Sequence, residues 1–248
     1  MTITSPAHPN KEERTMASRM SGVATARSAG LLLLLGFAVG AFATTYPQTV
    51  LFVTGDAKAT AANIVAGNSL FRFGIICFLV SSLLNTAQTY SFYRLLRPAG
   101  PGLVLLAVMF QVISTTGFAM SQVPYYSVLP ILSGADYLKT FSPDQLNSLA
   151  LLSLRVSKFN KVLFELHFGA GFMLFGYIMF RSSFLPKLVG ILLAIGGASF
   201  MCMAIVTVLG LQLPSLPFLL AFTVPTTLVA LWLLIKGVDE AKWQESVA

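Results

Sequence analysis

Six long apolar runs recur along the chain, separated by shorter segments that hold most of the charged and helix-breaking residues. Each run has about the length that an α-helix needs to cross the hydrocarbon core of a bilayer. The pattern therefore predicts an all-α fold, a polytopic membrane helix bundle with six transmembrane helices. The predicted spans cover residues 28–45, 69–96, 102–121, 161–180, 187–209 and 215–235.

The segment between the third and fourth spans carries a helix signal of its own. Ser142 can cap a helix that has Pro143 at its first position and Gln145 three residues after the cap, which is the capping-box pattern. Apolar residues then follow at helical spacing, while Arg155 and Lys158 stay on the polar side. The sequence therefore predicts a short amphipathic helix in this loop, lying on the membrane before the fourth span.

Small residues mark two faces where helices can approach each other closely. Gly36 and Gly40 lie four residues apart in the first span. Gly190, Ala194 and Ala198 repeat the same spacing in the fifth span. Small side chains at this spacing let two membrane helices bring their backbones together, so both faces are predicted to be helix contacts.

The division of the chain follows from these runs. Residues 1–27 mix charged, small and helix-breaking residues without a period, which predicts a disordered cytoplasmic tail. Residues 28–238 form the predicted transmembrane domain, and residues 239–248 a short cytoplasmic tail. Within the domain, residues 46–68 are predicted to be a polar link with a turn at Gly55.

The first apolar run has a second interpretation. Arg27, the run that follows it and the small-residue triplet at 41–43 also match the three regions of a signal peptide. The long preceding tail is unusual for a signal peptide. A retained first span is therefore the prediction, and cleavage is the alternative.

The composition is typical of a membrane protein and argues against a nucleic-acid partner. The chain is 56% hydrophobic and 10% charged, whereas soluble domains carry roughly a quarter charged residues. Its net charge is +7, but the basic residues are spread along the chain and form no continuous face for phosphates, so no nucleic-acid partner is predicted. Cys77 and Cys202 lie inside apolar runs and are predicted to be buried free thiols.

The distribution of Lys and Arg predicts the orientation, because cytoplasmic segments of membrane proteins carry more of them. Five lie on the side of the membrane where the second, fourth and sixth spans begin: Lys58, Lys139, Arg155, Lys158 and Lys161. Ten lie on the side that holds both chain ends: Lys11, Arg14, Arg19, Arg27, Arg94, Arg97, Arg181, Lys187, Lys236 and Lys242. Both termini are therefore predicted to be cytoplasmic.

Several stretches resemble a known family. They are Tyr46-Pro47, Leu70-Phe71-Arg72, the segment 93–98 and the long segment 176–190 that joins the fourth and fifth spans. Together they are similar to the bacterial domain of unknown function 4386 family, over roughly residues 28–238. The resemblance implies a multi-pass protein of the bacterial cytoplasmic (inner) membrane and favours a retained first helix. It implies no activity and no catalytic residues.

Two ionisable residues are the main candidates for a site. Arg72 lies about one turn inside the second span and Glu165 about one turn inside the fourth, at the same side of the membrane. A charge within the bilayer usually pairs or faces a polar cavity. The functional interpretation is an outward-facing site where Arg72 holds an anionic group and Glu165 gates or titrates. The alternatives are a structural ion pair, or two side chains that extend to the surface.

The neighbours of Glu165 complete the candidate ligand-binding set. His167 lies about 200° around the helix from Glu165, so the two cannot share a face, and a hydrogen-bonded interior histidine is the favoured interpretation. Phenylalanines at 164, 168, 172 and 175 form a stripe typical of helix packing. Phe168 and Phe172 are the candidates for the apolar end of a site.

Known catalytic patterns do not occur in the sequence. It has no nucleophile elbow, no His-Glu-x-x-His helix and no phosphate-binding loop, so no enzyme activity, cofactor or metal is predicted. The partners expected are the lipid bilayer and a lipid-like, amphipathic anionic molecule. The alternative function is a small proton-coupled transporter that uses Glu165.

Overall fold

The computed structural model describes residues 21–211 and 213–247, except for the side chain of residue 215. These residues form eight α-helices, two short 3₁₀ helices (97–99 and 136–138) and connecting turns. The α-helices are α1 (Gly22–Leu51), α2 (Ala57–Ala66), α3 (Asn68–Leu96), α4 (Pro101–Ile131), α5 (Pro143–Arg181), α6 (Lys187–Val208), α7 (Ser215–Ile235) and α8 (Glu240–Val247).

Six of the described helices are long and apolar enough to cross a membrane: α1, α3, α4, α5, α6 and α7. This confirms the all-α, six-span prediction, and the protein is a multi-pass membrane protein. The six helices form a closed ring in which α1 packs against α3, then α4, α5, α6 and α7 follow, and α7 returns to α1. We call the end where α1 begins and α7 ends the terminal end, and the opposite end the distal end.

The fourth span differs most from its predicted form. The capping box is present, because Ser142 Oγ accepts a hydrogen bond from the Gln145 amide at 3.3 Å and Gln145 Oε1 accepts one from the Ser142 amide at 2.8 Å. The amphipathic helix, however, is not a separate element. It is the first half of α5, which has 39 residues and no break, since no glycine or proline occurs between residues 144 and 168.

The predicted polar link at 46–68 also proves to be mostly helical. Helix α1 continues to Leu51, and α2 begins after Asp56, whose Oδ1 accepts a hydrogen bond from the Ala59 amide at 2.8 Å. The intervening turn uses Gly55, whose φ of 81° favours glycine, as predicted for a turn there. Buried residues of α2, such as Ile64, pack with α5 at the distal end.

Both predicted tails contain helix. Residues 22–27 belong to α1, so the predicted tail boundary at residue 27 is wrong, and the prediction for residues 1–20 lies outside the described residues. Residues 240–247 form α8 at the terminal end. Trp243 in α8 is buried against Gly22, and its Nε1 donates a hydrogen bond to the carbonyl of Leu95 at 3.0 Å. Helix α8 thereby joins the ends of α1 and α3.

The predicted small-residue faces are helix contacts. Ser81 on α3 donates a hydrogen bond to the Gly36 carbonyl at 3.2 Å, and Gly40 also faces Ser81. Gly190 and Ala194 lie against Gly176 of α5.

Farther along α6, Gly197 rather than Ala198 meets the backbone of α5, at Gly169. Cys77 is buried as predicted, but Cys202 is exposed on α6. An apolar run that spans a membrane does not by itself indicate which of its faces points away from the bundle.

Candidate functional site

A cavity of about 380 Å³ has a wall to which each of the six spanning helices contributes. We call it the central cavity. Its volume is near the lower limit for small-molecule sites. Its wall includes Ala41 and Thr44 on α1, Asn85 on α3, Phe118 on α4, Phe164 and Phe168 on α5, Phe200 on α6, and Phe222 and Thr223 on α7.

Aromatic rings make up much of the cavity wall. Phe164 and Phe168 lie 5.1 Å apart between ring centroids, and Phe200 and Phe222 lie 4.1 Å apart. Phe172 stacks beneath Phe168 at 4.2 Å and is fully buried, so it supports the wall and does not line it. The stripe on α5 therefore serves both helix packing and the cavity, with Phe168 at the surface that a ligand would meet.

A few polar groups interrupt this apolar wall. Thr44 and Thr223 lie on facing helices, and Asn85 lies on α3 near Gly36. Such sparse polar groups in an apolar wall are typical of sites that bind a hydrophobic molecule in one orientation.

A second cavity, of about 200 Å³, lies nearer the distal end, and we call it the basic cleft. Arg155, Lys158 and Lys161 on α5 form one side of it. Gln48, the turn at 52–55 and Tyr125 of α4 form the other sides. Since the three cations follow each other at intervals of three residues, they lie along one flank of α5.

The basic cleft lies just distal to the central cavity. On α5, Lys161 in the cleft is less than one turn from Phe164 in the cavity. On α1, Gln48 in the cleft is one turn from Thr44 in the cavity. The two spaces are thus consecutive along the same pair of helices.

Aromatic contacts also connect the two spaces. Tyr125, which lines the cleft, packs against Phe78 at 5.5 Å, and Phe78 packs against Phe118 at 5.7 Å. Phe118 lines the central cavity and lies 4.9 Å from Phe164. One group of packed rings therefore extends from the wall of the cleft to the wall of the cavity.

Arg72 does not lie in either cavity. Its side chain is exposed on α3, and its Nε donates a hydrogen bond to Asn68 Oδ1 at 2.6 Å. Among the described residues, the ion pairs are Lys139 with Asp136 and Lys242 with Asp239. The predicted pair of Arg72 with Glu165 is therefore absent from the described structure. Equal depth in two spans did not reveal that Arg72 points away from the ring.

Glu165 has other neighbours. It is half-buried on α5, one turn from Lys161, and interacts electrostatically with Lys161 and Lys158. It therefore lies beside the cations of the basic cleft and next to Phe164 of the cavity.

His167 Nδ1 donates a hydrogen bond to the Leu163 carbonyl of its own helix at 2.8 Å, and its ring lies 6.0 Å from that of Phe110. This agrees with a hydrogen-bonded histidine. Its position on the α4 side of α5 separates it from the residues that line either cavity.

The basic cleft is the feature that sequence reasoning missed. The sequence predicts that Arg155 and Lys158 lie on the polar side of a surface helix and that Lys161 begins a span. The signal was the spacing of three cations on one flank of an unbroken helix. That signal becomes meaningful only when α1, α4 and the turn at 52–55 are known to face the same flank.

Comparison with known protein families assigns the chain to one of them. Residues 28–237 match the model described as domain of unknown function (DUF4386). The chain belongs to this family. The DUF4386 match includes all the residues of the central cavity and the basic cleft and ends before α8, whose contacts through Glu240 and Trp243 lie outside it. The chain matches no curated protein and no solved structure.

Proposed function

We propose that this protein binds a lipid-like, amphipathic anion, with the apolar part in the central cavity and the anionic group in the basic cleft. The observation that carries the proposal is the succession of the two spaces along α1 and α5, from three cations to a cavity walled by phenylalanines. An amphipathic molecule has the same succession of chemistry along its length.

The dimensions agree with a molecule of moderate length. Lys161 and Phe172 are eleven residues apart on α5, about 16 Å at the rise of an α-helix, which is close to the extended length of a dodecyl chain. Phe172 stacks under the cavity wall and marks its depth on this helix. A chain with its charge at Lys161 would thus reach the floor of the cavity.

We further propose that the protein lies in the bacterial cytoplasmic membrane with both termini in the cytoplasm. The asymmetry of Lys and Arg between the two ends supports this orientation. The basic cleft would then open on the outer side, where it would meet molecules from the outer leaflet.

The test uses a variant that fills the cavity and a matched control. Ala41 lines the cavity, whereas Ala38, three residues earlier on α1, is exposed. Binding of dodecanoate and dodecyl phosphate would be measured by calorimetry on purified protein in a nonionic detergent. Ala41→Phe is expected to weaken both by about tenfold or more because the ring occupies the chain's space, and Ala38→Phe to leave both unchanged. Equal binding by wild type and Ala41→Phe would refute the proposal.

A second candidate is proton-coupled transport through Glu165, supported by the position of this carboxylate between the cleft cations and the cavity wall. A carboxylate that exchanges protons beside a binding site can couple flux to pH. In proteoliposomes, a pH gradient should then drive dodecanoate movement in the wild type and not in Glu165→Gln. If the protein binds dodecanoate but a pH gradient drives no dodecanoate movement, transport is contradicted and only the binding function remains supported.

A further inference from the structure

The basic cleft holds more hydrogen-bond donors than a simple carboxylate needs. Arg155, Lys158 and Lys161 supply guanidinium and ammonium groups, and in the described part of the chain none of them has a carboxylate within ion-pair distance. Glu165 acts on Lys161 and Lys158 only electrostatically, from the next turn of α5. The positive charge of the cleft is thus not neutralised by the protein at short range.

Two buried residues that carry hydroxyl groups line the same cleft. Tyr125 and Ser157 line it, and each side chain is only 2% exposed. The Tyr125 hydroxyl is buried and has no hydrogen-bond partner among the residues described. Buried hydroxyls are normally paired, because leaving one unpaired costs its hydration without compensation.

Tyr125 cannot satisfy its hydroxyl by turning, because its ring is held on several sides. It stacks on Phe71 at 4.6 Å with an interplanar angle of 14°, and Phe78 packs edge-on against it at 5.5 Å. The hydroxyl is therefore fixed in place as a donor that awaits an acceptor.

We propose that the basic cleft is a phosphate-ester site, in which Arg155, Lys158 and Lys161 neutralise the charge and the Tyr125 and Ser157 hydroxyls donate to the remaining oxygens. This deepens, and rests on, the proposed binding of an amphipathic anion. Five donor side chains around one small cleft suit a group with three terminal oxygens better than the two oxygens of a carboxylate. Arginine in addition matches two phosphate oxygens at once.

The experiment compares head groups on one chain length. Calorimetry on the full-length protein in a nonionic detergent would use dodecyl phosphate, dodecanoate and inorganic phosphate as probes. Dodecyl phosphate is expected to bind about tenfold or more tightly than dodecanoate, because the two hydroxyl donors have no role with the smaller group. Inorganic phosphate is expected to bind far more weakly, since it gains nothing from the central cavity.

Variants locate the effect in the cleft. Tyr125→Phe and Ser157→Ala each remove one oxygen and preserve packing, so each should weaken dodecyl phosphate severalfold and leave dodecanoate unchanged. Arg155→Ala should weaken both amphiphiles by about tenfold. Arg72→Ala is the matched control, because it removes an exposed cation at the same end that does not line the cleft, and it should change neither.

The outcomes separate this inference from the proposed function. If dodecanoate binds as tightly as dodecyl phosphate and Ala41→Phe weakens the binding of both, the phosphate-ester site is wrong. The proposed binding of an amphipathic anion is then still supported. If inorganic phosphate binds as tightly as dodecyl phosphate and Ala41→Phe has no effect, the cleft binds free phosphate and the proposed function is wrong. If Tyr125→Phe and Ser157→Ala lose the preference for dodecyl phosphate over dodecanoate and keep the wild-type thermal midpoint, both the phosphate-ester site and the proposed function are supported.

Discussion

The carboxylate of Glu240 accepts a hydrogen bond from the backbone amide of Val23 at 2.8 Å, although the two residues are 217 positions apart. The same carboxylate accepts hydrogen bonds from the Gly22 amide at 3.0 Å and the Ser21 hydroxyl at 2.9 Å. The first amides of a helix have no partner within the helix, and a negative charge there interacts favourably with its dipole. Helix α8 thus caps α1 across the terminal end of the bundle.

Removal of this cap should destabilise the protein. Glu240→Ala leaves the α1 amides without their partner and is expected to cost about 1 kcal/mol, as for other lost N-caps. The measurement is the thermal midpoint in detergent. Glu245→Ala is the control, since Glu245 is exposed on the same helix and no hydrogen bond involves its side chain in the described part. Equal midpoints for the two variants would argue against the cap.

The cap should also depend on pH. Partial burial raises the pKa of Glu240, but hydrogen bonds from Gln244 and from the start of α1 lower it by more, so its pKa lies below the ordinary value. A carboxylate with a lowered folded-state pKa contributes stability above the unfolded pKa, and that stability is lost as pH falls through the folded pKa. The difference in midpoint between wild type and Glu240→Ala should therefore be full near neutral pH and shrink in acid. A difference that grows on acidification contradicts the sign.

Close crossing of α5 and α6 gives a third prediction. A Cβ at Gly176 would lie 2.6 Å from the Ala194 nitrogen, and a Cβ at Gly197 would lie 2.5 Å from the Gly169 carbonyl oxygen. Backbone atoms cannot move aside as a side chain can, so each alanine substitution is expected to cost about 1–3 kcal/mol. Gly102→Ala, with nothing within 4 Å, should be neutral or slightly stabilising. Thermal unfolding in detergent would rank the three variants.

Arg72 and Glu165 should behave independently. Arg72 is bonded to Asn68 on the outside of α3, while Glu165 interacts with lysines on its own helix. The stability losses of Arg72→Ala and Glu165→Gln are therefore expected to add in the double variant within about 0.5 kcal/mol. A double variant that is more stable than either single variant would instead indicate that Arg72 and Glu165 form an ion pair.

The proposed orientation can be tested by reporter fusions. A reporter active only outside the cytoplasm should be active after Gly134 or Leu213, which follow α4 and α6 at the distal end. The same reporter should be silent after Pro98 or Gly237, at the terminal end. This expectation follows from the excess of Lys and Arg at that end. The reverse pattern would place the basic cleft in the cytoplasm.

The sequence was most informative about features that depend on residues close together along the chain. The six spans follow from apolar length alone, because a bilayer excludes unpaired backbone groups and leaves the helix as the simplest solution. The Ser142 capping box was equally local and appears in the structure. Local polarity misled at 46–68, where α2 forms because Ile64 finds a partner surface on α5 that the segment itself does not contain.

By itself, then, the sequence determined that the chain is a six-span helical membrane protein and where α3, α6 and α7 start and stop. Only the tertiary structure decided what each helix faces. Phe168 and Arg155 lie along α5 with no local signal that one enters a cavity and the other a cleft. Arg72 and Glu165 share a depth but not a partner. The physical reason is that helix length is set by the bilayer, whereas rotation and neighbours are set by packing between segments far apart in the chain.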